Sequence, residues 1–279
     1  MKILIARTAG FCFGVKRAVD MVFDVAEKKP KGVYTLGPLI HNPQVIEKLK
    51  SEGVEPVEKV SDLSRKKVDT VVVRTHGIPH DDMDTLSSKG FNVIDATCPF
   101  VKKAQHYAKL LKDEGYTVVI LGDKEHPEVK GIMSYAGKGA MVVRGAEELG
   151  ELRGKVGIIV QTTKQIDALK ELVSAAIEKT KELKVYNTIC NSTALRLRET
   201  AEMAKKVDLM MIVGGKNSAN TTRLANHCKG LGVRTRHIET AGEIKKSWFK
   251  GIKSVGITAG ASTPDWIIEE VKDRINKIV

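Results

Sequence analysis

The chain has 279 residues, 42% of them hydrophobic and 29% charged, which is enough for one large core or two to three small ones. No stretch approaches the roughly 20 uninterrupted apolar residues of a membrane span, and the apolar run after Met1 is too short for a signal peptide, so a cytoplasmic, non-membrane globular protein is expected. A formal net charge of +12 favours anionic partners, and four widely spaced cysteines in a reducing compartment read as metal ligands, reactive thiols or core filler rather than a disulfide framework.

Taken in chain order, the first predicted element is the strand KILIA, which leads through GFCFG into a helix-patterned run after Cys12. A strand ending at Gly37 follows, then His41 and a helix, then the buried-looking strand in VDTVVVRTHG with Thr75 and His76, a further helix, and the strand in FNVIDATC that runs into Cys98. The order then starts again. A helix after Cys98 precedes the strand YTVVILG, the segment His126-Pro127-Glu128, the strand in VGIIVQTT with Thr162 and Thr163, a helix, and LKVYNTIC ending at Cys190. A third round runs from Cys190 through a helix, DLMMIVG, Ser218 and Asn220, and the strand of SVGITAGAS with Ser262 to the final helix DWIIEEVKDRINKIV.

This last round lacks its closing strand, and KILIA stands spare at the other end of the chain. The periodicity therefore predicts three α/β modules, residues 13–97, 98–189, and 190–279 completed by 1–12. Each has about four mostly parallel strands, and the three are expected in a pseudo-threefold arrangement.

Each in-register cysteine falls at a strand-to-helix turn, where α/β proteins gather functional groups. Three convergent thiolates suit a soft metal centre and leave one position of a four-position centre open for chemistry. Gly10 and Gly14 flank Cys12 and would let the backbone approach something bulky. Cys228 lies outside the register and reads as a core thiol. His80, His106, His227 and His237 also lack counterparts and read as surface or satisfied core imidazoles, whereas His41, His76 and His126 are in register, with a local cap or turn role as the alternative.

The in-register histidines, Thr162, Ser218, Asn220 and Ser262 can all donate to phosphate oxygens, which points to a small phosphorylated ligand. GGKNSANTT is not a nucleotide-binding GxxxxGK[ST] loop, because Asn217 follows Lys216. Glu128, next to His126 and Pro127, could deliver a proton or could complement a helix dipole.

GFCFGVKRA, LGPLIHNPQV, RTHG, DATCPFV, HPEVKG, QTT, GGKNSANT and TAGAS, in this order across the whole chain, resemble the 4-hydroxy-3-methylbut-2-enyl diphosphate reductases, the LytB family. The resemblance implies three α/β domains around a central [4Fe-4S] cluster held by Cys12, Cys98 and Cys190, with one iron not bound by cysteine. It implies reductive removal of the substrate hydroxyl, giving isopentenyl and dimethylallyl diphosphates at the end of the methylerythritol phosphate pathway.

By the same resemblance His41, His76, His126, Ser218, Asn220 and Ser262 surround the diphosphate, Glu128 and Thr162 deliver the proton, and Thr193 lies beside the pocket. Ala219 stands where some members have serine, and Arg196-Leu197 where Arg-Gln is frequent. With no nicotinamide or flavin fingerprint in the chain, electrons are expected from a ferredoxin- or flavodoxin-type donor drawn to the basic surface. The rival classes are less well supported. Only 5% of residues are aromatic and no nucleic-acid-binding motif stands out, so no nucleic acid partner is expected. A cysteine hydrolase needs one thiol rather than three in equivalent positions.

Overall fold

The computed structural model describes residues 1–29, 31–40, 42–152 and 154–279; His41 and the side chain of Ala219 lie outside the described residues. In chain order the elements are β1 (Lys2–Ile5), α1 (Phe13–Lys28), β2 (Val33–Leu36), α2 (Pro43–Ser51), β3 (Val54–Val57), β4 (Thr70–Val73), α3 (His80–Ser88), β5 (Asn92–Asp95) and α4 (Pro99–Asp113). They continue with β6 (Thr117–Leu121), α5 (Pro127–Ala136), β7 (Met141–Val143), β8 (Lys155–Val160), α6 (Ile166–Ile177), β9 (Glu182–Tyr186) and α7 (Asn191–Ala204). The chain ends with β10 (Leu209–Val213), α8 (Ala219–Gly230), β11 (Arg234–Ile238), β12 (Ser254–Ala259) and α9 (Asp265–Ile278).

The strands form three four-stranded sheets, ordered β3-β2-β4-β5, β7-β6-β8-β9 and β1-β12-β10-β11, and every pairing is parallel. Parallel sheets are covered on both faces, which is why β4, β6, β8 and β10 read as near-continuous apolar runs. The spare N-terminal strand is placed here, with Lys2 opposite Ser254 and Ile5 opposite Ile257. One edge strand of each sheet carries little pattern of its own: β3 is VEPV, β7 is MVV and β11 is RTRHI. Proline and charge are tolerated there because one side of an edge strand makes no ladder bonds.

The chain divides into two compact units, Met1–Lys16 with Ile40–Val45 and Asn191–Val279, and Arg17–Leu39 with Ile46–Cys190. In the first unit, alternate residues of β10 serve opposite cores. Leu209, Met211 and Val213 pack with Ile267, Ile268, Val271 and Ile275 of α9, while Met210 and Ile212 pack with Ala204, Leu224, Ala225 and Cys228. Cys228 is fully buried, and desolvation pushes its thiol up to about 11, so it is a neutral core group.

In the second unit, Val119, Leu121, Ile158 and Val160 face Leu169, Leu172 and Ala176 of α6. The opposite face sets Val118, Ile120 and Ile159 against Ala104, Ala108 and Leu111 of α4 and Val129 and Ile132 of α5. Helix α4 sits so close to β8 that a Cβ on Gly157 would lie 2.5 Å from Leu111. None of the helices described is long and apolar enough to cross a membrane.

Candidate active site

One hydrogen bond recurs three times and fixes the cysteines. Cys12 N–H donates to the carbonyl of Ala261 just beyond β12 (3.1 Å), Cys98 N–H to Thr75 just beyond β4 (2.9 Å), and Cys190 N–H to Thr162 just beyond β8 (2.8 Å). Each cysteine is thereby pinned at the carboxyl end of a central strand, and the repeat read from the sequence becomes a repeated backbone contact. Helices α1, α4 and α7 each begin on the residue after a cysteine. The carbonyls of Cys12 and Cys98 accept the first helical bonds, from Lys16 (2.8 Å) and Lys102 (3.0 Å). Helix N-termini favour negative charge, and all three thiols are half-buried where Cys228 is sealed in the core. That donor set fits a thiolate-bound metal centre.

In the second unit the Glu128 carboxyl is 2% exposed and held at both oxygens by one residue. Thr162 N–H donates to Oε1 at 2.6 Å and the Thr162 hydroxyl donates to Oε2 at 2.8 Å. Burial pushes the Glu128 carboxyl above the usual carboxylate range, and the two bonds from Thr162 pull the other way without reversing it. Burial thus favours the protonated form at a dry position, while the grip of Thr162 fixes the direction of both oxygens. The same Thr162 carries the carbonyl that anchors Cys190, so strand β8 places the acid and a cysteine from one residue.

His126 is the cap of α5, its Nδ1 accepting the Glu128 N–H at 3.2 Å. The cap role is therefore real, and it also sets the tautomer. With Nδ1 an acceptor, the neutral ring carries its proton on Nε2, a donor suited to a phosphate oxygen. The His76 ring stands edge-on to it, with centroids 5.4 Å apart. Cys98, Cys190, His76, His126, Glu128 and Thr162 thus all belong to the second unit.

The first unit holds Cys12, Thr193, Ser218, Asn220 and Ser262. Ser218 caps α8, accepting from Thr221 N–H at 3.4 Å, and half-buried Asn220 lies in the first turn of that helix. Ser262 follows β12, in a turn that Thr263 ties to the end of β10 through a 3.1 Å bond from its hydroxyl to the Val213 carbonyl. Thr193 is half-buried in the first turn of α7.

Two further residues shape these turns and were missed by pattern reading. Asn42 donates from Nδ2 to the Ser262 carbonyl (2.8 Å) while its Oδ1 caps α2 at Val45 (3.2 Å). Its signal was the helix-start pair Asn42-Pro43. Arg196 lies on the buried side of α7, and nothing in the local pattern marks it.

The family model described as LytB protein matches residues 3–276. The chain belongs to the LytB family. It is 49% identical over 280 residues to the 4-hydroxy-3-methylbut-2-enyl diphosphate reductase of Trichlorobacter lovleyi, covering 100% of this chain and 99% of that protein. A similar enzyme from Geobacter sulfurreducens is 49% identical over 279 residues, covering 99% and 98%. Among solved structures, an (E)-4-hydroxy-3-methyl-but-2-enyl diphosphate reductase, described as the terminal enzyme of the non-mevalonate pathway, matches with a TM-score of 0.83 at 46% identity, covering 99% of this chain and 100% of that one. The Plasmodium falciparum reductase matches with a TM-score of 0.83 at 25% identity, covering 99% and 87%.

In this LytB chain Gly10 meets a need of the fold itself. Its φ is +91°, and a Cβ there would lie 2.6 Å from Asp265 Oδ1 at the start of α9. Left-handed backbone costs an L-residue roughly 1–2 kcal/mol before any crowding. Gly10→Ala should therefore lower the melting temperature by roughly 2–8 °C, read by thermal unfolding. An unchanged melting temperature would show that the turn relaxes freely.

Proposed function

We propose that Glu128 is the proton donor in the reaction of this family, the reductive dehydroxylation of 4-hydroxy-3-methylbut-2-enyl diphosphate to isopentenyl and dimethylallyl diphosphates. The observation that carries this is the buried Glu128 carboxyl gripped at both oxygens by Thr162. Breaking the carbon–oxygen bond consumes two electrons and two protons per substrate and releases water, so an acid whose burial favours its protonated form suits the step.

Cys12, Cys98 and Cys190 would hold a [4Fe-4S] cluster with one iron not bound by cysteine. When bound, such a cluster supplies low-potential electrons and a Lewis-acidic position. The chain's own residues bind and orient. His76 and His126, with His41, Ser218, Asn220 and Ser262, take the diphosphate through N–H and O–H donors, and Thr193 borders the substrate. Thr162 holds the acid in place at its buried position. The three modules keep the boundaries 13–97, 98–189, and 190–279 with 1–12, the enzyme works in the cytoplasm, and a ferredoxin- or flavodoxin-type protein delivers the electrons.

Anaerobic purification followed by iron and sulfide analysis and turnover with an artificial one-electron donor tests the reading. A brown protein with iron and sulfide in equal amounts that forms both products is expected. A colourless, iron-free protein with full activity would remove it.

A further inference from the structure

Arg196 is 4% exposed, and among the described residues its hydrogen bonds go to carbonyls rather than to a carboxylate, which is unusual for a buried guanidinium. Its Nη1 donates to the carbonyls of Thr8 and Ala259, the latter at 2.6 Å, and its Nη2 to the carbonyl of Gly10 at 3.0 Å. Its Nε–H is buried with no acceptor among the described residues, so the group retains donor capacity beyond those carbonyls. One turn further along α7, Glu199 takes the opposite polarity of the same segment. Its carboxylate accepts from Arg7 N–H (2.8 Å) and Thr8 N–H (2.8 Å), with the Arg7 side chain at 3.5 Å.

We propose that Arg196 and Glu199 are positioning residues that clamp the segment leading to Cys12 and place a fixed positive charge near that cysteine. The segment offers two N–H groups to the anion and two carbonyls to the cation, so α7 grips it from both ends of its peptide dipoles. A planar fork reaching carbonyls on two strands' exits is a task for arginine rather than lysine. Desolvation pulls the Arg196 guanidinium below the usual arginine range, while Cys12 and then Glu199 act to hold it charged. Helix α7 opens directly after Cys190, so the helix that follows one cysteine holds, in its second and third turns, the segment leading to another.

This inference rests on the reading of Cys12 as a cluster ligand. A positive charge close to a redox group makes adding an electron easier, so its removal should drive the midpoint potential more negative. A fold-supporting role alone would leave that potential in place.

The test uses anaerobically purified, iron-loaded protein with the variants Arg196→Met, Arg196→Lys and Glu199→Gln. The readouts are iron loss to a chelator, optically followed redox titration, and hydrogen exchange at the amides of residues 7 and 8. Arg196→Met should lose iron about tenfold faster and show a more negative midpoint. Arg196→Lys should keep a near-native midpoint yet still lose iron faster, because the charge remains while the fork is gone. Glu199→Gln should speed exchange at the two amides. Native retention and native potential in Arg196→Met would overturn the clamp. If that variant fails to fold, a native iron-loss rate in Arg196→Lys together with native exchange in Glu199→Gln overturns it equally. Absence of iron from the wild-type protein would instead sink the reading of Cys12, a distinguishable failure.

Discussion

Glu128→Gln lowers turnover by roughly 10²–10⁴-fold, the usual contribution of a positioned general acid, with iron content and substrate affinity kept. The amide preserves size, its oxygen can still accept from Thr162 N–H and its NH2 can donate to the Thr162 hydroxyl oxygen, so the position is kept while the transferable proton is lost. A fall in turnover without a matching rise in KM identifies a transition-state role. The pH dependence supplies a second check. Burial raises the Glu128 carboxyl, so wild-type turnover falls as pH rises through that raised value and the acid ionises. Thr162→Val removes the hydroxyl bond that pulls the value down, so the falling limb moves to higher pH.

Stability moves in a linked direction. A carboxyl raised on folding contributes stability present below its ordinary value of 4.5 and lost as pH rises through the folded value. Glu128→Gln lacks that loss, so across this window its melting temperature should gain on the wild type. Unchanged turnover in Glu128→Gln would leave the carboxyl only its place at the start of α5.

Serine substitution separates the cysteines. Cys12→Ser, Cys98→Ser and Cys190→Ser should each strip the anaerobically purified protein of its visible absorbance and most of its iron, and turnover should fall to background. Each of these cysteines sits at the mouth of a helix on a segment pinned to the exit of a central strand, and a serine hydroxyl there is a far poorer metal ligand than a thiolate. Cys228→Ser should keep absorbance, iron and turnover, while placing a hydroxyl among Met210, Ile212, Leu224 and Ala225 costs about 1–3 kcal/mol. Loss of absorbance in Cys228→Ser, with retention in Cys98→Ser, would reverse the assignment.

The sequence alone determined the three-sheet plan, because period and register are properties of order along the chain. Apolar runs in β4, β8 and β12 mark strands covered on both faces, and the recurrence of Cys12, Cys98 and Cys190 after β1, β5 and β9 marks the same turn three times. The missing strand of the third round and the spare KILIA at the start were legible for the same reason, and their pairing in one sheet is seen in the structure. Edge strands β3, β7 and β11 were not located, since half-solvated strands need no apolar period.

The electrostatic details came from tertiary structure only. Glu128 and Thr162 lie 34 residues apart, and no local pattern tells that one hydroxyl and one amide close on both oxygens of a dry carboxyl. The same holds for Arg196, whose acceptors at Thr8 and Gly10 are 188 and 186 residues away. Periodicity reports which face of an element is covered. The value of a buried charge or proton depends on the few polar atoms the fold brings within hydrogen-bond reach, and that distance exists only once the chain has folded.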